Sequence, residues 1–295
     1  MYRPYPGIAY RKVLLARART SASLNATALQ IAQASYEEQL ELLDSDCVTR
    51  CPNRAELRQQ TAQLLESSFV ELAANLRPEI SVEIGAHEGS FSERLKARVP
   101  SVRALAFEAN PYVYAHFAPR LHECEIDYRH AAICDRDGVA QFSIPTLLPT
   151  GAECPRLNPI SSLRHWVNIR EYEETIVPAS RIDTVLPGPP DRLVAWIDAE
   201  GAQGEILTGG TMFFSHVAAL YIEVEYVTRW DGQLSYESLV EQLRQHSLVP
   251  VMRDNIARGQ RNEVYIRADD DTMRIVMPTV NAYVSAVREL VTSTG

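Results

Sequence analysis

Long apolar runs are missing from this sequence. No stretch approaches the ~18 to 20 apolar residues that a membrane span needs, because each is broken within about eight residues, so no membrane crossing is expected. Positive charge is also in deficit. With 29 Lys and Arg against 38 Asp and Glu, the net charge is −9, which argues against a broad phosphate-binding surface and a nucleic-acid partner and favours a small or uncharged substrate. Cysteine is scarce and odd in number. Cys47, Cys51, Cys124, Cys134 and Cys154 are scattered through 295 residues, unlike a disulfide scaffold, so a reducing cytoplasm is the expected compartment. Cys47 and Cys51 have no second Cys or His pair nearby to complete a zinc site and read as one face of a helix end. Residues 1–36 lack acids altogether but carry Arg3, Arg11, Lys12, Arg17 and Arg19. Transit peptides share that bias, and the apolar core "VLLA" is too short for a secretory signal; the segment reads as a basic, helical extension.

What is present is ample core material, at 46% hydrophobic residues, in a length that fits one large or two unequal domains. Residues 22–76 show apolar positions at helical three-and-four spacing, interrupted by the breaker "CPN". From Glu79 the texture changes to short β-branched runs alternating with amphipathic stretches, the pattern of a parallel α/β sheet. Seven strands are predicted, near 80–84, 102–107, 126–130, 193–197, 220–225, 248–252 and 264–266. Helices are predicted near 92–98, 111–121, 202–207 and 236–245. Residues 141–178, rich in proline and serine, break the alternation and read as a hairpin plus loops over one end of the sheet. The expected divisions are a helical extension (1–76), an α/β domain (77–270) with that insertion, and a C-terminal helix or tail (271–295).

Within "SVEIGAHEGSF" a strand runs into Gly85 and Gly89 and then into a helix start. Gly85 suits a positive φ at the strand end, and Gly89 a close approach of backbone to a ligand. Ser90 and Glu93 are spaced as a capping box. In βαβ logic an acid about 20 residues further on takes ribose hydroxyls, and Glu108 ends the next strand nineteen residues after Gly89. The spacing G-x-x-x-G lacks the second glycine that a pyrophosphate needs, and Glu88 would set a carboxylate beside it. An adenosine ligand without phosphates fits better, and a positively charged sulfonium tolerates Glu83 and Glu88 nearby.

A second constellation lies in "LVAWIDAEGAQGEIL", where Asp198 and Glu200 stand at the carboxyl edge of a buried strand, the edge at which open α/β sheets bind ligands. Asp198 as a simple helix cap is the structural alternative. In "YIEVEY", Glu223 and Glu225 are two apart on a strand and share a face; they would line the pocket or, with Asp198, grip a divalent cation. His87, His130 and His165 each suit a general base by intrinsic pKa, and His165, in the insertion, is the base candidate best placed to face a substrate.

The run "EIGAHEG", "EANP", "HAAICDRDG" and "WIDAEGAQ", in that order and at comparable spacing, resembles the FkbM-type S-adenosylmethionine-dependent methyltransferases. Their pattern is D-x-G-A-N-x-G, E-P-N-P, an A-A or A-L pair before an acid-rich turn, and K-I-D-x-E-G-A-E. Here Glu83 replaces the Asp, His87 the Asn, Ala109 the first Pro, Trp196 the Lys and Gln203 the final Glu. The resemblance covers about Glu79 to Ile266 and leaves the helical prefix unexplained. It implies an α/β class I methyltransferase fold, Rossmann-like, with a seven-stranded mostly parallel sheet. It also implies S-adenosyl-L-methionine held by Glu83, Gly85, Ala86, His87, Gly89, Glu108, Ala109, Asn110, His130, Ala131 and Asp198. The reaction implied is methyl transfer to a hydroxyl of a small secondary metabolite, polyketide or sugar, with Asp198, Glu200 and His165 as catalytic candidates. A divalent metal is not required by the sequence. A protein that kept the fold as a binding scaffold, or one that methylates nitrogen, is the competing expectation, and the prefix is expected to form a dimer or lid element.

Overall fold

The structure is a computed structural model that describes residues 25–43, 54–190, 192–255 and 259–294. The basic cluster of residues 1–19 and the Cys47/Cys51 pair lie outside the described residues. In chain order the elements are α1 (Asn25–Leu42), α2 (Arg54–Leu76), β1 (Ile80–Ile84), α3 (Ser90–Arg98), β2 (Arg103–Glu108), α4 (Pro111–Glu123), β3 (Asp127–His130), β4 (Ala132–Ile133), β5 (Gly138–Pro145) and β6 (Tyr172–Ser180). They continue with α5 (Ile182–Val185), β7 (Leu193–Ile197), α6 (Gln203–Gly209), α7 (Thr211–Phe214), β8 (Val217–Glu225), α8 (Tyr236–Gln245), β9 (Leu248–Arg253), β10 (Gln260–Arg267) and α9 (Asp270–Thr294).

Seven strands form one sheet in the order β3-β2-β1-β7-β8-β10-β9, with β10 antiparallel to both of its neighbours. The chain works outward from β1 in one direction and restarts at β7 in the other, so the switch point of the sheet lies between those two strands. Ligands of open α/β sheets bind beyond the carboxyl ends there. Side-chain alternation along β7 builds both cores at once: Leu193, Ala195 and Ile197 enter one apolar cluster, whereas Val194 and Trp196 face the other.

The helical prefix is part of this architecture. Leu65, Phe69, Leu72 and Leu76 of α2 share a buried cluster with Met273, Val276 and Val280 of α9 and with Tyr221, Val251 and Val264 of the sheet. Residue 76 therefore marks a change of sequence texture, and α2 on its near side packs an apolar face against the protein's own sheet. Helix α1 also completes the edge strand. Gln39 donates to the Val251 carbonyl at 2.8 Å and accepts from the Arg253 amide at 2.9 Å, pairing backbone groups that an edge leaves open. Tyr36 donates to Glu263 at 2.6 Å, joining a buried network with Arg261 and Tyr236.

The insertion folds as a second sheet in the order β4-β6-β5, and the β5/β6 pair runs in register from Gly138↔Ala179 to Pro145↔Tyr172. The hairpin expected from composition is present, and residues 146–171 between its strands reach over the carboxyl edge of the large sheet. Among the described residues no helix is long and apolar enough to cross a membrane.

Candidate active site

The loop after β1 is held by two hydrogen bonds. Gly85 and Ala86 donate their amides to the Phe107 carbonyl at 3.0 and 2.9 Å. Gly85 has φ +73°, and a Cβ there would lie 1.8 Å from the Asp198 carbonyl oxygen. The glycine thus lets the ends of β1 and β7 touch, which brings both sequence constellations to one place. The capping box expected from Ser90 and Glu93 does not form: Gly89 is the N-cap of α3, without a side-chain cap. Glu83 does the capping instead, accepting from the Phe91 and Ser92 amides at 3.3 and 2.9 Å and from the Ser92 hydroxyl at 2.6 Å. Burial pushes its carboxyl up to about 7. Glu93 is drawn away to Arg120 at 2.6 Å. A Cβ on Gly89 would meet Leu121 methyl carbons at 2.8 Å, so its small size serves the packing of α4 rather than a ligand.

Glu108 stands at the cleft, 7% exposed. One carboxylate oxygen accepts from the His87 amide at 2.9 Å and the other from the Asn110 amide at 2.7 Å, while burial raises its pKa above the usual carboxylate range. Each oxygen keeps a lone pair for a ligand hydroxyl. Asn110 caps α4 through the Tyr112 amide at 3.0 Å and donates to the Arg156 carbonyl at 2.8 Å, tying the insertion down. His87, at φ +44°, reaches the Leu157 carbonyl at 3.2 Å. In the cleft beneath, Gly85, His87, Glu108 and Asp198 line one side, and Asn158, Ser161 and Ser162 come from the insertion. Ala109 and Ala131 also line it. Glu83, Ala86, Gly89, Asn110 and His130 stand behind this lining. His130 lies 3.0 Å from the Ala109 carbonyl and stacks on Tyr114.

The acids gather at the ends of β7 and β8. Asp198, Glu200 and Glu223 each present an oxygen, all within 4.8 Å of one another. The set differs from the expected Asp198, Glu223 and Glu225: Glu200, at φ +39°, belongs to it and Glu225 does not. Glu223 and Glu225 are each 6% exposed, and Oε1 of each has no hydrogen-bond partner among the described residues. Burial, and then the charge of Glu108, push Asp198 up to about 6. Burial and then Asp198 push Glu225 up to about 7, and burial raises Glu200 and Glu223 well above their usual range.

Residues 83–256 match the methyltransferase FkbM domain. The chain belongs to that family. Membership brings S-adenosylmethionine as the implied cofactor. Among solved structures, the FkbM methyltransferase of Methylobacillus flagellatus KT is 13% identical, with 64% of this chain and 44% of that chain covered and a TM-score of 0.42. The chain thus spans less than half the length of that FkbM protein. An O-methyltransferase family protein from Burkholderia thailandensis is 10% identical over 85% of this chain and 74% of that one, at TM-score 0.38. A putative O-methyltransferase from Klebsiella pneumoniae is 12% identical over 88% and 96%, at TM-score 0.38. No match was found among curated proteins.

Two departures from the FkbM pattern have structural reasons. Trp196, in place of the lysine, stacks on Tyr221 at 3.5 Å between ring centres and on Phe91 at 5.4 Å, under α2. Gln203, in place of the last glutamate, donates its amide to the Glu223 carbonyl at 3.1 Å. The cofactor implied by FkbM membership fits the residues present, because Glu108 offers a backbone-fixed pair of acceptors and the wall beyond Asp198 is acidic. His165 does not reach the cleft lining. Its ring lies 2.8 Å from Glu174 and stacks on Tyr172 at 4.4 Å, and the side chain is 48% exposed. Ser162, three residues earlier, donates to the Glu200 carbonyl at 2.6 Å and holds the insertion at the site; Leu163 still lines the cleft, and His165 lies outside that lining. The sequence reading missed Asn158, Ser161 and Ser162. The "NPISS" turn signature was the available sign: Asn158 accepts from the Ile160 amide at 3.1 Å and from Ser161 at 2.9 Å.

The buried acids set a pH dependence. Glu83 and Glu225 near 7, and Asp198 and Asp254 near 6, hold protons in the folded chain that the unfolded chain releases near pH 4. The stability this gives is full below about pH 4 and is lost as pH rises through 6 to 7. Chelator-treated protein is therefore expected to melt at a higher temperature at pH 6 than at pH 8 in scanning calorimetry; the reverse order would contradict the assignment.

Proposed function

We propose that this FkbM-family protein methylates a hydroxyl group of a small molecule, a secondary metabolite, polyketide or sugar. The observation that carries the reading is the placement of Glu108 and Asp198 in the lining of one cleft, at the switch point of the sheet. When bound, S-adenosylmethionine supplies a methyl group already activated on a positively charged sulfonium. Glu108 accepts hydrogen bonds from the ribose hydroxyls, with the loop at Gly85 and His87 against the remainder of the cofactor. Asn158, Ser161 and Ser162 close the cleft against water. Asp198 orients the acceptor hydroxyl and receives its proton, and its raised pKa of about 6 brings its proton affinity nearer the working pH. Glu200 supports it across the acid cluster. An amine acceptor is less well served, since clustered carboxylates hold an amine as its ammonium, with no lone pair to attack.

Calorimetry with S-adenosylhomocysteine tests the cofactor reading: micromolar binding is expected, and no heat with folded protein would overturn it. For the reaction, release of S-adenosylhomocysteine is followed across a panel of hydroxyl acceptors. Asp198→Asn should lower kcat at least ~100-fold, the usual contribution of a positioned acid or base, with cofactor affinity retained. Full activity in that variant would remove Asp198 from its role.

A further inference from the structure

We propose that Asp198, Glu200 and Glu223 form a binding site for one divalent cation of the oxygen-preferring class, magnesium, manganese or calcium. Two independent observations carry it. The first is convergence: three carboxylates from the ends of two adjacent strands place an oxygen each within 4.8 Å of one another. Oxygens on a hard cation lie about 2.0 to 2.6 Å from it, so a pair on opposite sides is separated by about 4 to 5 Å. The spacing matches a coordination shell. The second is Glu223 itself. It is 6% exposed, yet its Oε1 has no hydrogen-bond partner among the described residues. A buried carboxylate oxygen left without a hydrogen-bond partner is costly, and a bound cation would satisfy it.

The surroundings suit that use. Gln203 holds the Glu223 backbone at 3.1 Å, and Ser162 holds the Glu200 backbone at 2.6 Å, so two of the three ligands are fixed from behind. Arg229 is the cation whose field reaches Glu200 and Glu225. The donors are all oxygens, with no imidazole or thiolate among them, which points away from zinc and copper. Three side chains leave coordination positions for water and for a ligand entering from the cleft that Asp198 also lines. The cation's part in catalysis rests on the methyl-transfer reading: there it would bind the acceptor hydroxyl and lower its pKa, and it selects acceptors whose oxygens chelate.

The test is an electron paramagnetic resonance titration of the full chain, stripped by chelator and free of cofactor, with manganese(II) alone. The free-ion signal should fall until one ion is bound per chain, and magnesium or calcium should restore it. Glu223→Gln and Glu200→Gln should each weaken manganese binding at least tenfold. Glu223→Gln, an amide of the same size at a buried position, should melt no lower than the parent, showing that its loss of binding is not loss of fold. An undiminished free-ion signal with the parent protein, or equal affinity in both variants, overturns the site. S-adenosylhomocysteine is titrated into the same samples. Homocysteine-nucleoside binding without manganese binding removes the cation site and leaves the cofactor reading; manganese binding without it does the reverse.

Discussion

Glu108→Ala should weaken S-adenosylhomocysteine binding at least ~100-fold in calorimetry while the protein remains folded. A hydrogen bond to a charged group contributes about 1.5 to 3 kcal/mol, and the carboxylate has one free acceptor position on each oxygen for the two ribose hydroxyls. Two such bonds amount to about 3 to 6 kcal/mol, and each 1.4 kcal/mol is about tenfold in affinity. Glu108 has a second task, since it accepts the His87 and Asn110 amides. Alanine leaves both amides to water in the open cleft, so a modest fall in melting temperature is expected beside the large fall in affinity. Glu108→Gln keeps an acceptor oxygen for one of the two amides but sets an N–H against the other, so it too should bind poorly. Near-parental affinity in a folded Glu108→Ala protein would show that the ribose lies elsewhere.

The second large effect belongs to Gly85→Ala, expected to lower stability by about 3 kcal/mol or more. A left-handed backbone costs a residue with Cβ about 1 to 2 kcal/mol, and overpacking about 1 to 3 kcal/mol. Here the new methyl would lie 1.8 Å from a carbonyl oxygen at φ +73°, so neither strand end can keep its position. For a chain of this size each kcal/mol is about 2 to 4 °C, which predicts a fall in melting temperature on the order of 10 °C. Cofactor affinity should fall with it, because the same contact sets Asp198 against Glu108. A melting temperature within about 2 °C of the parent would mean that the loop yields easily, contrary to its packing.

The parts of the fold that were legible in sequence are those in which burial on both faces leaves a continuous apolar run. Leu193–Ile197 was placed to the residue for that reason, whereas Ile80–Ile84, which carries Ser81 and Glu83, was placed by the glycine that ends it. β10 was underestimated, as three residues against Gln260–Arg267, because its first half is polar yet buried. Arg261 and Glu263 satisfy each other at 2.6 Å, and Asn262 binds Asp254 at 2.8 Å, pairings that no period reveals. At the site, Glu108 could be found by counting from the glycine loop, since the geometry of a βαβ unit fixes the distance. The roles of Glu83 and His165 could not. Glu83 caps a helix eight residues away in sequence, and local spacing offered Ser90 and Glu93 in its place. Whether His165 faced inward depended on how the insertion is held, which rests in part on the Ser162 bond to Glu200 thirty-eight residues on.

The Gln39 bonds to β9 and the α1–α2–α9 layer have a practical consequence for anyone trimming this protein. The stretch recognisable by its family, 83–256, begins inside β1 and ends before β10, so it omits a strand of the main sheet and three of the helices that cover one face. A fragment cut to those limits would present an uncovered apolar surface and an unpaired strand edge, the two features that drive chains to associate. Recognition and foldability have different borders in this molecule.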